Sequence, residues 1–171
     1  MNSVQSSNFH KSSKESILTM VNLKRTTSDN KNFQSLIKEL NSDLRARYTS
    51  TNYHYDANIQ VDDLDTVVLG LINDDTVGCG CFKEIYPDTV EVKRMFVNPY
   101  FRGLGISTSI LSELTVWAKE LNYSQIVLET GKQQQESINL YTKYGFSIID
   151  NFGPYIGSIE SVCMGKMLSR I

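Results

Sequence analysis

Residues 91–106 read EVKRMFVNPYFRGLGI, and this stretch decides which fold the sequence can adopt. Its first half is rich in Val, Met and Phe and is typical of a strand, whereas apolar side chains recur at helical spacing from Ile106 onward. Gly103 and Gly105 lie between the two and indicate a tight turn. We therefore predict a strand, a glycine-containing turn and a long helix. The free N–H groups and the positive dipole end of such a helix start can hold a diphosphate.

This glycine turn admits two interpretations. Its glycines let the backbone approach phosphate oxygens closely, and the guanidinium of Arg102 can add a charge-assisted contact. The same glycines can equally form a tight turn that holds no ligand. The surrounding sequence excludes two common phosphate-binding folds. The strands before the turn form an antiparallel meander, unlike the parallel unit of a dinucleotide-binding fold, and the chain contains no Gly-Lys-Ser or Gly-Lys-Thr.

The composition indicates one globular domain. The chain has 171 residues, of which 40% are hydrophobic and 21% charged, and its formal net charge is -2. Such a chain has no overall basic charge with which to hold nucleic acid by its phosphates. The longest apolar run, residues 67–72, is much shorter than the roughly 20 residues of a membrane span. We expect a flexible polar tail at residues 1–16, a single domain at residues 17–171, and binding to neither nucleic acid nor membrane.

Cysteine and histidine are few. The three cysteines, Cys79, Cys81 and Cys163, are an odd number, and no apolar segment near the start of the chain resembles a secretory signal. This pattern favours a reduced, cytoplasmic protein with buried thiols. His10 and His54 are the only histidines, too few for a zinc cluster. We expect no bound metal.

Hydrophobic periodicity and turn residues predict elements in the order β-α-β-β-β-α-β-α-β-β. The predicted strands are residues 19–26, 66–72, 76–86, 89–97, 125–129, 146–149 and 161–168. The predicted helices are residues 33–45, 106–121 and 138–144. Ser28 or Asp29 is the expected cap of the first helix, and Gly145 follows the end of the third. Residues 48–65 show no regular period, and neither an internal repeat nor a second domain is indicated.

Two motifs in this order resemble those of the GNAT superfamily of N-acetyltransferases. Residues 91–106 resemble its acyl-CoA-binding motif, Arg/Gln-x-x-Gly-x-Gly/Ala with the preceding strand. Residues 137–146, SINLYTKYGF, resemble its second signature, a helix with Leu-Tyr followed by Gly-Phe. The resemblance covers about residues 20–168. It implies an α+β fold, with a central, mostly antiparallel sheet of about seven strands that is splayed between strands 4 and 5 and carries helices on both faces.

The resemblance also implies a binding site for acetyl-CoA as co-substrate. The backbone of Met95, Phe96 and Val97 would line the pantetheine arm, with an N–H of Phe96 or Val97 facing the thioester oxygen, and residues 127–130 would form the opposite wall. The alternative is an ordinary core strand. The diphosphate would lie at Arg102, Gly103, Leu104, Gly105, Ile106, Ser107 and Thr108. Ser107 stands where the family usually has Gly or Ala, and Gln134 stands where an Asn that contacts the cofactor is common.

Glu91 is the candidate base that the resemblance implies. An alkylammonium group has a pKa near 10, so a base is useful, and some family members carry a catalytic glutamate at this position. Strand periodicity predicts that Glu91 shares a face with Met95, four residues further on. The alternative is a solvated carboxylate that pairs with Lys93 or Lys83.

Tyr141 is the second catalytic candidate, because it matches the family's tyrosine that points at the cofactor sulfur. Full proton transfer from a tyrosine to a thiolate is unfavourable by roughly 2 kcal/mol before any tuning, given reference pKa values of about 10 and about 8.5. We therefore expect Tyr141 to donate a hydrogen bond to the departing thiolate. The alternative is a helix tyrosine that packs on the sheet.

The expected acceptor is a primary amine that attacks acetyl-CoA directly in a ternary complex. The resemblance implies that acceptor selectivity comes from residues 45–58 and 151–160, which contain aromatic and charged side chains. This mixture suits a small zwitterionic or aromatic amine, and a protein amino terminus or a lysine side chain is also open. A non-catalytic acyl-CoA sensor and a purely structural interaction module are the alternatives from other classes. A monomer and a homodimer are both compatible with the sequence.

Overall fold

The structure, a computed structural model, describes residues 21–48 and 64–169. The strands are β1 (Val21–Thr26), β2 (Val67–Ile72), β3 (Asp75–Tyr86), β4 (Thr89–Val97), β5 (Gln125–Gly131), β6 (Ser147–Ile149) and β7 (Ser161–Met167). The helices are α1 (Lys31–Arg47), α2 (Ile106–Glu120) and α3 (Gln135–Lys143), with 3-10 turns at Pro99–Phe101 and Gly153–Tyr155. These elements follow the predicted order. The predicted tail, the first two residues of the predicted first strand and most of the irregular segment, including His54, lie outside the described residues.

Within the described ranges, seven strands form one mixed sheet in the order β1-β2-β3-β4-β5-β7-β6. Adjacent strands are antiparallel except for β4 and β5, which run parallel. Helix α2 makes this pair possible, because a parallel neighbour requires a crossover connection. The α+β fold and the mostly antiparallel sheet implied by the resemblance are thus confirmed.

Strands β4 and β5 are paired at their starts and separate toward their ends. Their described pairing ends where Val92 lies opposite Leu128. Beyond this point β4 continues to Val97 and β5 continues to Gly131. The sheet therefore opens between two adjacent strands, as the resemblance implies.

Strand β4 contains a β-bulge that the sequence did not reveal. Cys81 lies opposite Lys93, whereas Cys79 lies opposite Phe96, so β4 has one residue more than β3 over this stretch. Arg94 takes up the extra length with a left-handed φ of 57°. One inserted residue reverses the alternation of side chains between the two faces of the sheet.

The bulge makes one prediction wrong, because Glu91 and Met95 do not share a face of the sheet. Glu91 precedes the bulge and lies on the face covered by α1, together with Lys93 and its partner Cys81. Met95 follows the bulge and packs against the core beneath α2. Phe96 is buried in the core beneath α1.

Helices cover both faces of the sheet, which confirms this part of the implied fold. Helix α1 buries Phe33, Leu36, Ile37, Leu40 and Leu44, at the predicted helical spacing. Helix α2 buries Ile106, Ile110, Leu111, Leu114, Thr115 and Ala118. Leu121, which the helical spacing places on the same apolar face, follows the end of α2 and is 48% exposed.

The cap of α1 is Asn30, so the prediction of Ser28 or Asp29 is wrong. The side-chain oxygen of Asn30 accepts hydrogen bonds from the backbone N–H groups of Asn32 and Phe33, at 2.9 and 3.3 Å. The buried hydroxyl of Ser28 instead accepts a hydrogen bond from the N–H of Leu64, at 2.9 Å. Ser, Asp and Asn have similar preferences for the N-cap position, so the sequence alone does not show which of these neighbouring residues caps the helix. The point at which the chain leaves β1 decides it.

Candidate active site

A cavity of about 250 Å³ opens between the last turns of α1, the end of β4 and the starts of α2 and α3. It is lined by nine of the predicted site residues, namely Met95, Phe96, Val97, Arg102, Gly103, Ile106, Ser107, Gln134 and Tyr141. The other four, Glu91, Leu104, Gly105 and Thr108, do not line it. The fold thus brings the strand end, the glycine turn and the second signature to one place.

The glycine turn begins α2 with a backbone conformation that glycine adopts readily. Gly103 has a φ of 77°, and Gly105, the N-cap residue, has a φ of 83°. No side chain in the described ranges caps α2. The N–H groups of its first turn therefore keep their capacity to bind an anion. Ser107 of this turn lines the cavity. The diphosphate site itself stays a prediction.

The side chain of Arg102 is held by protein groups at the cavity. Its Nε donates to the carbonyl oxygen of Val97 at 2.9 Å, and its Nη2 donates to Oδ2 of Asp43 at 3.2 Å. The guanidinium also lies 5.7 Å from the ring centre of Phe96. A phosphate that contacts Arg102 would therefore compete with the Asp43 carboxylate.

The last turns of α1 form a roof over the cavity, which sequence reasoning missed. The roof residues that line the cavity are Leu40, Asp43, Leu44 and Arg47. Arg47 Nε lies 3.3 Å from Asp43 Oδ2, and the Arg47 guanidinium also pairs with Glu136 in the first turn of α3. The i,i+4 spacing of Asp43 and Arg47 can be found in the sequence. Arg102, which pairs with Asp43, and Glu136, which pairs with Arg47, are distant in sequence and become neighbours only in the folded chain.

Gln134, a predicted cofactor contact, is held by Tyr48. Gln134 Nε2 donates to the Tyr48 hydroxyl at 3.1 Å, and Tyr48, which follows α1, is buried. A Cβ atom at Gly131 would overlap this hydroxyl and lie 3.4 Å from Gln134 Nε2. The hydrogen bond therefore requires glycine at the end of β5. Burial raises the pKa of Tyr48, so its hydroxyl is protonated at neutral pH.

Tyr141 reaches the cavity from α3 and is 6% exposed. Its ring packs on Phe146, with the ring centroids 5.8 Å apart, so the packing interpretation also describes this side chain. Burial raises the pKa of the Tyr141 hydroxyl, with a smaller contribution from Glu129. The hydroxyl is therefore a hydrogen-bond donor at neutral pH, as the predicted interaction with a thiolate requires.

Glu91 is 5% exposed and already has two hydrogen-bond donors. Its Oε1 accepts from Lys93 Nζ at 3.1 Å and from the Tyr155 hydroxyl at 2.6 Å. The pairing with Lys93 agrees with the alternative interpretation, but the carboxylate is buried rather than solvated. The contact with Tyr155 spans 64 positions and has no local signal in the sequence. The role of Glu91 as a base stays a prediction.

The three cysteines are buried thiols, as predicted. Cys79 and Cys81 donate to the carbonyl oxygens of Arg94 and Lys93, at 3.5 and 3.3 Å, and so support the bulge from β3. Burial raises the pKa of Cys79 well above its usual range. Among residues 21–48 and 64–169, no three His, Cys, Asp or Glu side chains form a group that could hold a metal ion. None of the described helices is long and apolar enough to cross a membrane.

Comparison with known proteins identifies the family. The sequence model described as the acetyltransferase (GNAT) family matches residues 33–146. An IAA acetyltransferase of Azospirillum brasilense is 42% identical over 96 residues, which are 54% of this chain and 61% of that protein. An uncharacterized N-acetyltransferase of Dictyostelium discoideum is 42% identical over 65 residues, which are 38% of this chain and 29% of that protein. The matched region thus spans at most 61% of the length of these curated relatives.

Solved structures share the fold. A Klebsiella pneumoniae protein assigned as an acyl-CoA N-acyltransferase has a TM-score of 0.72 and 25% identity, over 88% of this chain and 99% of that chain. A GNAT family acetyltransferase from Elizabethkingia anophelis, with acetyl-CoA bound, has a TM-score of 0.64 and 20% identity, over 87% of this chain and 99% of that chain. Because the family match spans more than half of the sequence and the fold agrees, this chain belongs to the GNAT acetyltransferase family.

Proposed function

We propose that this chain transfers the acetyl group of acetyl-CoA to a primary amine of a small molecule or an amino acid. The observation that carries the proposal is the cavity, where the glycine turn, the end of β4 beyond its pairing with β5, and Tyr141 meet. Acyl transfer from a thioester needs an anchor for the diphosphate, backbone donors for the carbonyl oxygen and a donor for the leaving sulfur. The cavity offers all three kinds of group within one space, and the family membership supports acetyl-CoA as the donor.

In the proposed complex, the start of α2 and the end of β4 bind different parts of acetyl-CoA. The diphosphate lies against the first turn of α2, at Arg102, Gly103, Leu104, Gly105, Ile106, Ser107 and Thr108. Beyond the bulge, the backbone of Met95, Phe96 and Val97 lines the pantetheine arm and donates an N–H to the thioester oxygen. The Gln134 amide, oriented by Tyr48, supplies a further polar contact.

The proposed chemistry uses Glu91 and Tyr141. The amine nitrogen forms a bond to the carbonyl carbon, the bond from that carbon to sulfur breaks, and the amine proton passes to Glu91. Since Glu91 does not line the cavity, a water molecule carries the proton. Tyr141 donates a hydrogen bond to the thiolate as it departs.

The pairing of Glu91 with Lys93 and Tyr155 favours a second candidate, a non-catalytic acyl-CoA-binding sensor. In that case the binding site is complete, but no group accepts the proton of an amine. An acetyltransferase that acts on a protein amino terminus or a lysine side chain is the variant of the first proposal with a larger acceptor.

We also propose a cytoplasmic location, because the three cysteines are free thiols.

Two measurements on the purified chain test the function. Calorimetry measures whether acetyl-CoA binds, and thiol release is followed with acetyl-CoA against a panel of amines, amino acids and peptides, with amine-free reactions as the control. Amine-dependent thiol release supports the transferase. Binding without release for any acceptor supports the sensor. Absence of binding contradicts both, because both require the start of α2 to hold the diphosphate.

A further inference from the structure

Tyr155 and Lys93 form a closed hydrogen-bonded group with Glu91 on the α1 side of the sheet. The Tyr155 hydroxyl donates to Glu91 Oε1 at 2.6 Å. Lys93 Nζ donates to the same carboxylate oxygen and to the Tyr155 hydroxyl, both at 3.1 Å. The side chain of Glu91 is 7% exposed and that of Lys93 is 25% exposed. Hydrogen bonds with so little water around them are stronger than on the surface.

The hydrogen bonds of this group have a direction. An ammonium only donates, a hydroxyl accepts and donates, and an ionised carboxylate only accepts. Burial raises the pKa of Tyr155, and the hydrogen bond to Glu91 raises it further, so its hydroxyl is a donor at physiological pH. Among the described residues, both donors to Glu91 reach Oε1. Oε2 is therefore the oxygen through which Glu91 would accept a proton.

The turn that carries Tyr155 is itself held in place. Asn151 Nδ2 donates to the carbonyl oxygens of Tyr155 and Ser158, at 3.0 and 2.9 Å. The Phe152 ring packs edge-on against the Tyr155 ring, with centroids 5.4 Å apart, and Lys93 Nζ lies 5.8 Å from the centre of the Tyr155 ring. The turn therefore presents the Tyr155 hydroxyl to Glu91 in a fixed position.

We propose that Tyr155 and Lys93 are positioning residues that fix the orientation of Glu91 and connect it to the turn that carries Tyr155. The inference rests on the proposed function, in which Glu91 accepts the amine proton. The charges on this face support it. Glu129 on β5 and Lys83 on β3 lie on the same face as Glu91. A buried carboxylate gains from an ammonium and a hydroxyl at hydrogen-bond distance.

The substitution Tyr155→Phe in the full chain tests this inference, because it removes the hydroxyl and keeps the ring. We expect kcat to fall about tenfold, while the Kd for acetyl-CoA from calorimetry changes by less than about twofold. Lys93→Met removes the other donor and should act in the same direction, which gives a second variant if the first folds poorly. Tyr86→Phe, at the half-exposed end of β3, is the matched control and should leave kcat unchanged.

Adding Tyr155→Phe to the Glu91→Gln variant is the decisive measurement. If Tyr155 acts through Glu91, the second substitution lowers kcat by less than about twofold, because the positioned group is already absent. A full tenfold further decrease, or a decrease in acetyl-CoA affinity as large as the decrease in kcat, overturns the inference. Unchanged kcat in both single variants overturns it too. The wild-type protein is assayed before any variant is made. If it binds acetyl-CoA but releases no thiol with any amine, the proposed function itself is contradicted.

Discussion

Tyr141 is both a packing side chain and part of the cavity wall. Its ring contributes volume to the core, whereas its hydroxyl, whose pKa burial raises, contributes a donor at neutral pH. A phenylalanine at this position retains the ring and lacks only the donor. The substitution Tyr141→Phe therefore separates the contribution of the ring to packing from the contribution of the hydroxyl to catalysis.

We expect Tyr141→Phe to lower kcat by about ten- to a hundredfold, because a hydrogen bond to a charged group contributes about 1.5–3 kcal/mol. The Kd for acetyl-CoA should change little in calorimetry. Tyr144→Phe is the matched control, since Tyr144 lies at the end of the same helix with its ring 6.5 Å from Phe146, and it should retain full turnover. Wild-type turnover in the Tyr141→Phe protein would assign this residue to packing alone.

Helices α1 and α3 meet over the end of β5. Tyr48 follows α1 and accepts a hydrogen bond from Gln134 before α3, and Arg47 pairs with Glu136 in the first turn of α3. Gly131 lies directly beneath the Tyr48 hydroxyl. The position of the Tyr48 side chain at the end of α1 thus depends on the absence of a Cβ atom at Gly131.

Gly131→Ala should displace the end of α1, because the added Cβ would overlap the Tyr48 hydroxyl. We expect the free energy of unfolding to fall by about 1–3 kcal/mol. Because Tyr48 would then no longer orient the Gln134 amide, the Kd for acetyl-CoA should rise by about fivefold. Gly165→Ala, whose Cβ would meet Ile149 at 3.2 Å on β6, is the control that should lower stability without changing this affinity. Urea unfolding and calorimetry measure the two effects, and equal affinity in both variants would contradict the proposed link between α1 and the cofactor site.

The order of the elements could be predicted because hydrophobic periodicity is local. The glycine turn and Tyr141 could likewise be found, since each lies in a short motif. The bulge at Arg94 could not, because its extra residue is defined only by the register of β4 against β3. For the same reason the predicted shared face of Glu91 and Met95 is wrong. The contacts of Asp43 with Arg102 and of Tyr155 with Glu91 span 59 and 64 positions, and no local pattern in a single sequence shows them.

The molecule as a whole buries several ionisable groups in their protonated, neutral form. Burial raises the pKa of Cys79, Tyr141 and Tyr155 above the ordinary values of a thiol and of tyrosine. A hydrogen bond to a glutamate and burial raise the pKa of Tyr123 to about 12. Lys166 acts in the opposite direction, because burial lowers its pKa. The folded chain therefore binds more protons than the unfolded chain at alkaline pH.

Stability should consequently fall at alkaline pH, and the sign follows from proton linkage. Below about pH 8 the raised groups are almost fully protonated in both states, so their contribution to the free energy of unfolding is nearly constant. Above about pH 9 for the thiol, and above about pH 10 for the tyrosines, the unfolded chain loses protons that the folded chain keeps. Each such group then lowers the free energy of unfolding by up to about 1.4 kcal/mol per pH unit. Urea unfolding between about pH 7 and pH 11 measures this slope, which Tyr141→Phe should reduce above about pH 10. A slope identical to that of the wild type would show that Tyr141 ionises as readily in the folded chain as in the unfolded one, which its burial in the cavity wall argues against.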